Sequence, residues 1–206
     1  MTTDTIKTNL RDYYNQEAEY RNSGEKQDWK IKQREAFYNL LFNENKRTLL
    51  EIGAGTGQDS KYFIDRGLTV VAIDLSREMV RICKEKGIET YECDMYDLSA
   101  LNCMFDCVWS MNSLLHVPKS DLMNVLLGID SVLKDNGLFY MGVYGGEDTE
   151  NSWINDISET PRFFSYYSEI KLKEVLQHVF EIVSFQQFDV GRNIGFQSIT
   201  MRKANR

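Results

Sequence analysis

The run Leu49-Leu50-Glu51-Ile52-Gly53-Ala54-Gly55-Thr56-Gly57-Gln58-Asp59 places an acid and three closely spaced glycines between an apolar, strand-like stretch and the start of a helix. Glycines let the backbone bend sharply and let a ligand approach where a Cβ would block it, and the free amides of a helix N-terminus hold a carboxylate or phosphate. Spacing chooses among ligands. A dinucleotide site requires G-x-G-x-x-G, whereas this chain has G-x-G-x-G, with Gln58 where the last glycine would stand. Glu51 beside the turn would repel a pyrophosphate but attract an amino group, so a zwitterionic amino-acid ligand fits better. Asp74 ends the run Val70-Val71-Ala72-Ile73-Asp74, about 20 residues beyond the turn, where a carboxylate in an α/β nucleotide site accepts bonds from both ribose hydroxyls. Its competing role is a helix cap, for which Ser76 is better placed. Asp94, in Glu92-Cys93-Asp94-Met95, is in turn suited to accept from an adenine amino group while a following side chain packs on the ring. Taken alone it would be a turn acid.

These residues need strands and helices to bring them to one edge. From Arg47 onward short apolar runs alternate with helix-length amphipathic segments, the pattern of βα units in a parallel sheet, so the chain reads as α/β. Strands are expected at 48–52, 69–73, 89–93, 105–111 and 138–143. Ser76 caps a helix that ends at Gly87, and Gly67 stops the one before it. In 120–134, Leu122, Val125, Leu126, Ile129, Val132 and Leu133 share one helical face, followed by Asn136 and Gly137 as a brake. The polar, aromatic stretch YGGEDTENSWINDISETPRFFSYYS then reads as a long functional loop. A helix at 168–179 leads into strands at 180–190 and 195–202, joined by a turn around Gly191, Arg192 and Asn193, an antiparallel hairpin closing a sheet edge. The first 45 residues read as helical, with Tyr13, Tyr14, Tyr20, Trp29, Phe37 and Tyr38 as packing surface.

Composition narrows the classes. A chain of 206 residues fits one domain, with residues 1–45 as a helical cap over the site and 46–206 as the α/β core. No stretch approaches the ~20 apolar residues of a membrane helix, and the N-terminus lacks the apolar core of a signal peptide, so the expected location is the cytoplasm and no membrane partner is expected. Cys83, Cys93, Cys103 and Cys107 lack CxxC spacing and lie in largely apolar runs, which predicts reduced, mostly buried thiols, with neither disulfide nor metal. The net charge of -7, with no Lys/Arg run longer than a pair, disfavours a nucleic-acid substrate.

Together these residues resemble the class I S-adenosylmethionine-dependent methyltransferases, in the small-molecule branch carrying type 11 or type 25 methyltransferase domains. Glu51-Ile52-Gly53-Ala54-Gly55-Thr56-Gly57 looks like the family's first motif. Asp74, Asp94-Met95 and the run from Phe105 to Pro118, including Met111-Asn112-Ser113-Leu114-Leu115-His116, match the later motifs in order. Val132-Leu133-Lys134-Asp135-Asn136-Gly137-Leu138 is similar to the turn before strand five, with Asp135-Asn136 in place of the usual Pro-Gly. Tyr14-Asn15-Gln16-Glu17-Ala18-Glu19-Tyr20 is similar to a short signature that covers the cofactor. The resemblance implies a Rossmann-like three-layer αβα sandwich with a seven-stranded, mostly parallel sheet in order 3-2-1-4-5-7-6, strand seven antiparallel. It also implies S-adenosyl-L-methionine as cofactor and S-adenosyl-L-homocysteine as product. Glu51 and the turn of Gly53, Ala54, Gly55 and Gly57 would face the methionine part, Asp74 with Leu75 the ribose, Asp94 and Met95 the adenine, and Met111 with Asn112 the floor beneath the sulfonium. Tyr14 would close over them.

The expected reaction is methyl transfer to a small-molecule acceptor by a monomer or homodimer. His116 is one candidate base, and a structural role in its turn is the favoured alternative. An Asn-Pro-Pro-Tyr motif, used on nucleic-acid amines, is absent where Ser110-Met111-Asn112-Ser113 stands. Acceptor recognition falls to the N-terminal helices and to Tyr144, Trp153, Arg162, Phe163, Phe164, Tyr166 and Tyr167, although such aromatics more often serve as lid packing. Two other readings stand beside this one: a non-catalytic protein that binds the donor, and an NAD(P)-dependent oxidoreductase, which would want glycine at position 58.

Overall fold

Strands buried on both faces are rich in apolar residues, and at the centre of β1 (Thr48–Ile52) and β4 (Phe105–Met111) Leu49, Leu50, Cys107, Val108 and Trp109 are wholly buried. The computed structural model describes residues 1–155, 158–191 and 194–204. After the N-terminal helices α1 (Thr3–Asn22) and α2 (Asp28–Asn43), β1 alternates with α3 (Gln58–Ile64), β2 (Thr69–Asp74), α4 (Arg77–Glu85) and β3 (Thr90–Glu92). Beyond β4 come α5 (Leu122–Val132), β5 (Leu133–Gly145), a hairpin of β6 (Thr149–Asn155) and β7 (Ser158–Tyr166), α6 (Glu169–Gln177), β8 (Phe180–Phe188) and β9 (Gly195–Lys203).

The main sheet has the order β3-β2-β1-β4-β5-β9-β8, with β9 antiparallel to both neighbours. Counted within this sheet, that is the expected order 3-2-1-4-5-7-6; the numbers shift because β6 and β7 form a separate two-stranded sheet. One face packs against α5 and α6 through Val125, Ile129, Leu172 and Leu176, and the other against α2 and α3 through Phe37, Leu41 and Phe63. On the second face Trp109 and Tyr140 stack at 4.0 Å between ring centroids, flanked by Phe37 and Phe63.

Local signals act where expected. The Ser76 hydroxyl accepts the Met79 amide at the start of α4, and Gly67 and Gly87 take the left-handed conformation after α3 and α4. Four expectations need correction. The stretch read as a loop is largely the β6–β7 hairpin, whose second strand packs on α1. The expected break before strand five is a bulge inside β5: pairing with β4 jumps from Phe105↔Leu133 to Cys107↔Leu138, and Asn136 supplies a positive φ of 58°. Residues 1–45 are more than a cap, because α2 also buries Phe37 and Leu41 as a core helix, and Tyr20 is 70% exposed instead of packed. Cys83 and Cys107 are buried, but Cys93 is only half-buried and Cys103 is exposed. In the β8–β9 connection Gly191 takes φ 75°, while Arg192 and Asn193 lie outside the described residues.

Candidate active site

The parallel strands end their carboxyl tips along one edge, and the crossover from β1 to α3 is the glycine turn. Gly53, Gly55 and Gly57 all have positive φ, but for different reasons. A Cβ on Gly53 would lie 2.2 Å from Ser113 Oγ, and one on Gly57 would meet Ile88 and Cys83, whereas one on Gly55 would meet nothing within 4 Å. The bare side of Gly55 faces the cavity; Gly57 is packed behind it and does not line it.

Asp74, at the tip of β2, accepts the Gly55 amide on Oδ2 at 2.8 Å and the Ser76 amide on Oδ1 at 2.9 Å. It therefore ties the turn to β2 and keeps lone pairs for further donors. Burial pushes its carboxyl up to about 6, against the pull of these amides. Glu51 is buried, and its carboxylate accepts the Ser60 hydroxyl of α3. Burial, with the neighbouring Asp59 charge, pushes Glu51 well above the ordinary carboxylate range. Asp59 is itself held by Lys26 Nζ at 2.6 Å, Arg34 Nη1 at 2.9 Å and Trp109 Nε1 at 3.1 Å. Gln58, where a dinucleotide site wants glycine, donates from Nε2 to the Gly24 carbonyl at 2.9 Å and so joins the α1–α2 link to the turn.

Two cavities open at this edge. A smaller, mostly apolar one contains Leu75, Asp94, Met95 and Tyr96 and is lined on the α1 side by Ile6, Lys7 and Leu10. There Asp94 Oδ2 pairs with Lys7 Nζ at 2.8 Å, and Lys7 lies 3.7 Å from the centre of the Tyr96 ring. A larger, open cavity contains Glu51, Ala54, Gly55, Asp74, Met111 and Asn112 on one side. Arg162, Phe164 and Tyr166 face it from the other. Tyr14, Gly53, Ser113 and His116 line both. Asn112 has a positive φ of 58° and a buried side-chain oxygen without a hydrogen-bond partner.

His116 is buried between α1 and β7. Its Nδ1 lies 2.7 Å from the Phe163 carbonyl, which can only accept, so Nδ1 carries the proton and Nε2 accepts the Tyr14 hydroxyl at 2.8 Å. Burial, reinforced by Arg162 and Arg21, lowers its pKa to about 4. The ring is neutral at physiological pH.

Among the expected site residues, all but Gly57 line one of the two cavities. Sequence reasoning did not select Lys7, Arg21, Lys26, Asp59 or Ser113. The signal for β7 was present as alternation: Arg162, Phe164 and Tyr166 face the cavity, while Ser165 and Tyr167 between and beside them are buried. Side chains around Trp153 lie outside the described residues.

Comparison with known proteins agrees with this geometry. Residues 49–137, which span the turn and the acidic strand tips, match a family model described as a methyltransferase domain. The chain is 26% identical over 160 residues to an uncharacterized methyltransferase of Alkaliphilus oremlandii, covering 76% of this chain and 70% of that one. It is 26% identical over 149 residues to the C-methyltransferase NovU of Streptomyces niveus, covering 69% of this chain but 34% of NovU. The fold is similar to that of the Burkholderia thailandensis 1,6-didemethyltoxoflavin-N1-methyltransferase crystallised with 1,6-didemethyltoxoflavin and S-adenosylhomocysteine, with a TM-score of 0.78 and 21% identity over 100% of this chain and 92% of that one. The family match lies on the very turn and strand tips that line the cavities, and the fold around them is similar to that of a methyltransferase crystallised with S-adenosylhomocysteine.

Proposed function

We propose that the methyl group passes to a small-molecule acceptor held in the larger cavity, while the nucleoside end of the donor occupies the smaller one. The observation carrying this reading is that the two cavities meet at a shared wall of Tyr14, Gly53, Ser113 and His116. The donor set suits the cofactor: the bare glycine side gives room for its backbone-like end, and the orphaned Asn112 oxygen offers an acceptor to a positive sulfur. Asp74 has lone pairs for ribose hydroxyls, and Asp94 can share its bond with Lys7 and an adenine amino group while Met95 and Leu75 pack the ring. Glu51, whose burial disfavours the charged form, would accept a hydrogen bond from the ammonium group, with Met111 beside Asn112 as floor.

When bound, S-adenosylmethionine supplies a methyl group already activated on a sulfonium, which leaves the protein to align the acceptor and exclude water. Tyr14, held by His116, closes α1 over the junction of the cavities. His116 serves as a positioning residue that fixes Tyr14 against the hairpin, because its surroundings oppose uptake of a proton. We take the protein to be a cytoplasmic monomer or homodimer, and its net charge of -7 argues against a nucleic-acid substrate.

The test is donor-dependent formation of S-adenosylhomocysteine in the presence of fractionated small-molecule extracts. Turnover with one fraction, lost in Tyr14→Phe through kcat while donor affinity stays the same, is the expected result. Tight donor binding with no turnover in any fraction would instead favour a non-catalytic binding protein, and binding of NADH in preference to the donor an oxidoreductase.

A further inference from the structure

The charges in the larger cavity are sorted by side. Among its acids Glu25 lies in the α1–α2 link, while Glu51, Asp59 and Asp74 stand on the strand-tip side. Each of these three is answered there: Asp59 by Lys26 and Arg34, Asp74 by two amides and Glu51 by the Ser60 hydroxyl. On the opposite side Arg162 of β7 and Arg21 of α1 converge on Tyr14. The Arg21 guanidinium lies 4.9 Å from the centre of the Tyr14 ring; that of Arg162 lies 4.4 Å and 5.0 Å from the centres of Tyr13 and Phe164, and the positive charge of both opposes the burial that raises the Tyr14 pKa. Among the described residues neither arginine has a carboxylate within ion-pair distance, although the chain carries an excess of acids. Guanidinium groups left without a carboxylate at a cavity wall are suited to bidentate capture of an anion from solution.

The wall between them is aromatic. Phe164 and Tyr166 lie nearly parallel, with ring centroids 5.9 Å apart and an interplanar angle of 20°, and Phe164 also abuts His116 at 4.9 Å. Such a surface takes the face of a planar molecule. The same two arginines oppose a positive charge on His116, so the site is poorly suited to receive a proton from the acceptor.

We propose that Arg162 and Arg21 form an anion-recognition subsite, and that the acceptor is a planar small molecule whose negative charge lies at, or is conjugated with, the atom to be methylated. Such an acceptor has no proton to lose. Its lone pair forms the new bond to the methyl carbon, the carbon–sulfur bond breaks with its electron pair returning to sulfur, and the acceptor's negative charge and the sulfonium's positive charge cancel. The arginines hold the anion without quenching it, since a guanidinium does not give up its proton. The proposal rests on placing the donor at the strand tips.

The experiment measures binding of benzoate, phenylphosphonate and the neutral benzamide to the full chain saturated with S-adenosylhomocysteine, by calorimetry. The two anions should bind and benzamide should bind roughly 10- to 100-fold more weakly, as for loss of a charged hydrogen-bond partner. Arg162→Gln should abolish the preference and Arg162→Lys should retain part of it. The exposed Arg21→Gln, which leaves the fold untouched, should reduce it. S-adenosylhomocysteine affinity should be the same in all three variants. Equal binding of benzamide and benzoate, no binding of either anion, or an intact preference in both glutamine variants would overturn the proposal. So would a parallel loss of S-adenosylhomocysteine affinity in the variants, which would make the arginines structural. Failure of S-adenosylhomocysteine to bind the wild-type protein would sink the donor placement and the subsite with it.

Discussion

Acidification from pH 7.5 to pH 5 should remove about 2 kcal/mol of folding stability through His116 alone. The ring is buried uncharged, donating from Nδ1 to the Phe163 carbonyl and accepting from Tyr14 on Nε2, and its pKa falls from the ordinary 6.5 to about 4. As pH drops the unfolded chain takes up the proton first. A basic group with a depressed folded-state pKa therefore contributes full stability above about 6.5, losing it progressively toward about 4. Asp74 works in the opposite direction: its folded-state pKa is raised to about 6, so the native chain protonates first and gains stability over part of the same range. The wild-type profile is thus a partial cancellation, and the histidine contribution emerges by subtraction. Urea unfolding of wild type and His116→Gln at both pH values provides it. The stability gap between them should narrow by about 2 kcal/mol at the lower pH, since glutamine has no proton to take up. A gap of the same size at both pH values would refute the buried neutral ring.

Three other perturbations address the site. Asp74→Ala should weaken donor binding by about 1.5 to 3 kcal/mol in calorimetry, and wild-type affinity should rise with pH through about 6, because ribose hydroxyls donate to the ionised carboxylate; affinity independent of both changes would contradict the ribose role. Gly55→Ala should lose about 1 kcal/mol by thermal unfolding from its left-handed backbone alone, and Gly53→Ala distinctly more because its Cβ meets Ser113, while Gly55→Val should abolish donor binding with the circular dichroism spectrum retained. Asp59→Asn should destabilise the protein by about 3 kcal/mol in urea, since Lys26 and Arg34 would be left without their shared counter-charge; a variant as stable as wild type would show that this network does not hold the helical cap to the turn.

What the sequence determined by itself was everything carried by short-range pattern. Adjacent apolar residues specify strands buried on both faces, as at Leu49 and Leu50, and the glycines at 53, 55 and 57 specify a turn of left-handed backbone that side chains disfavour. Acids at strand tips converge because parallel strands end on one edge, so Asp74 and Asp94 were legible before any coordinates. The β6–β7 hairpin was not read as strands, since its alternation places mostly polar and aromatic side chains on both faces. Which acid serves which partner was also beyond local pattern: Glu51 turns to Ser60, and Asp59 gathers Lys26, Arg34 and Trp109. Only the tertiary structure could bring Tyr14, His116 and Arg162 together from three distant parts of the chain. Their protonation and charge balance depend on burial, which is a property of the whole packed molecule and not of any stretch of sequence.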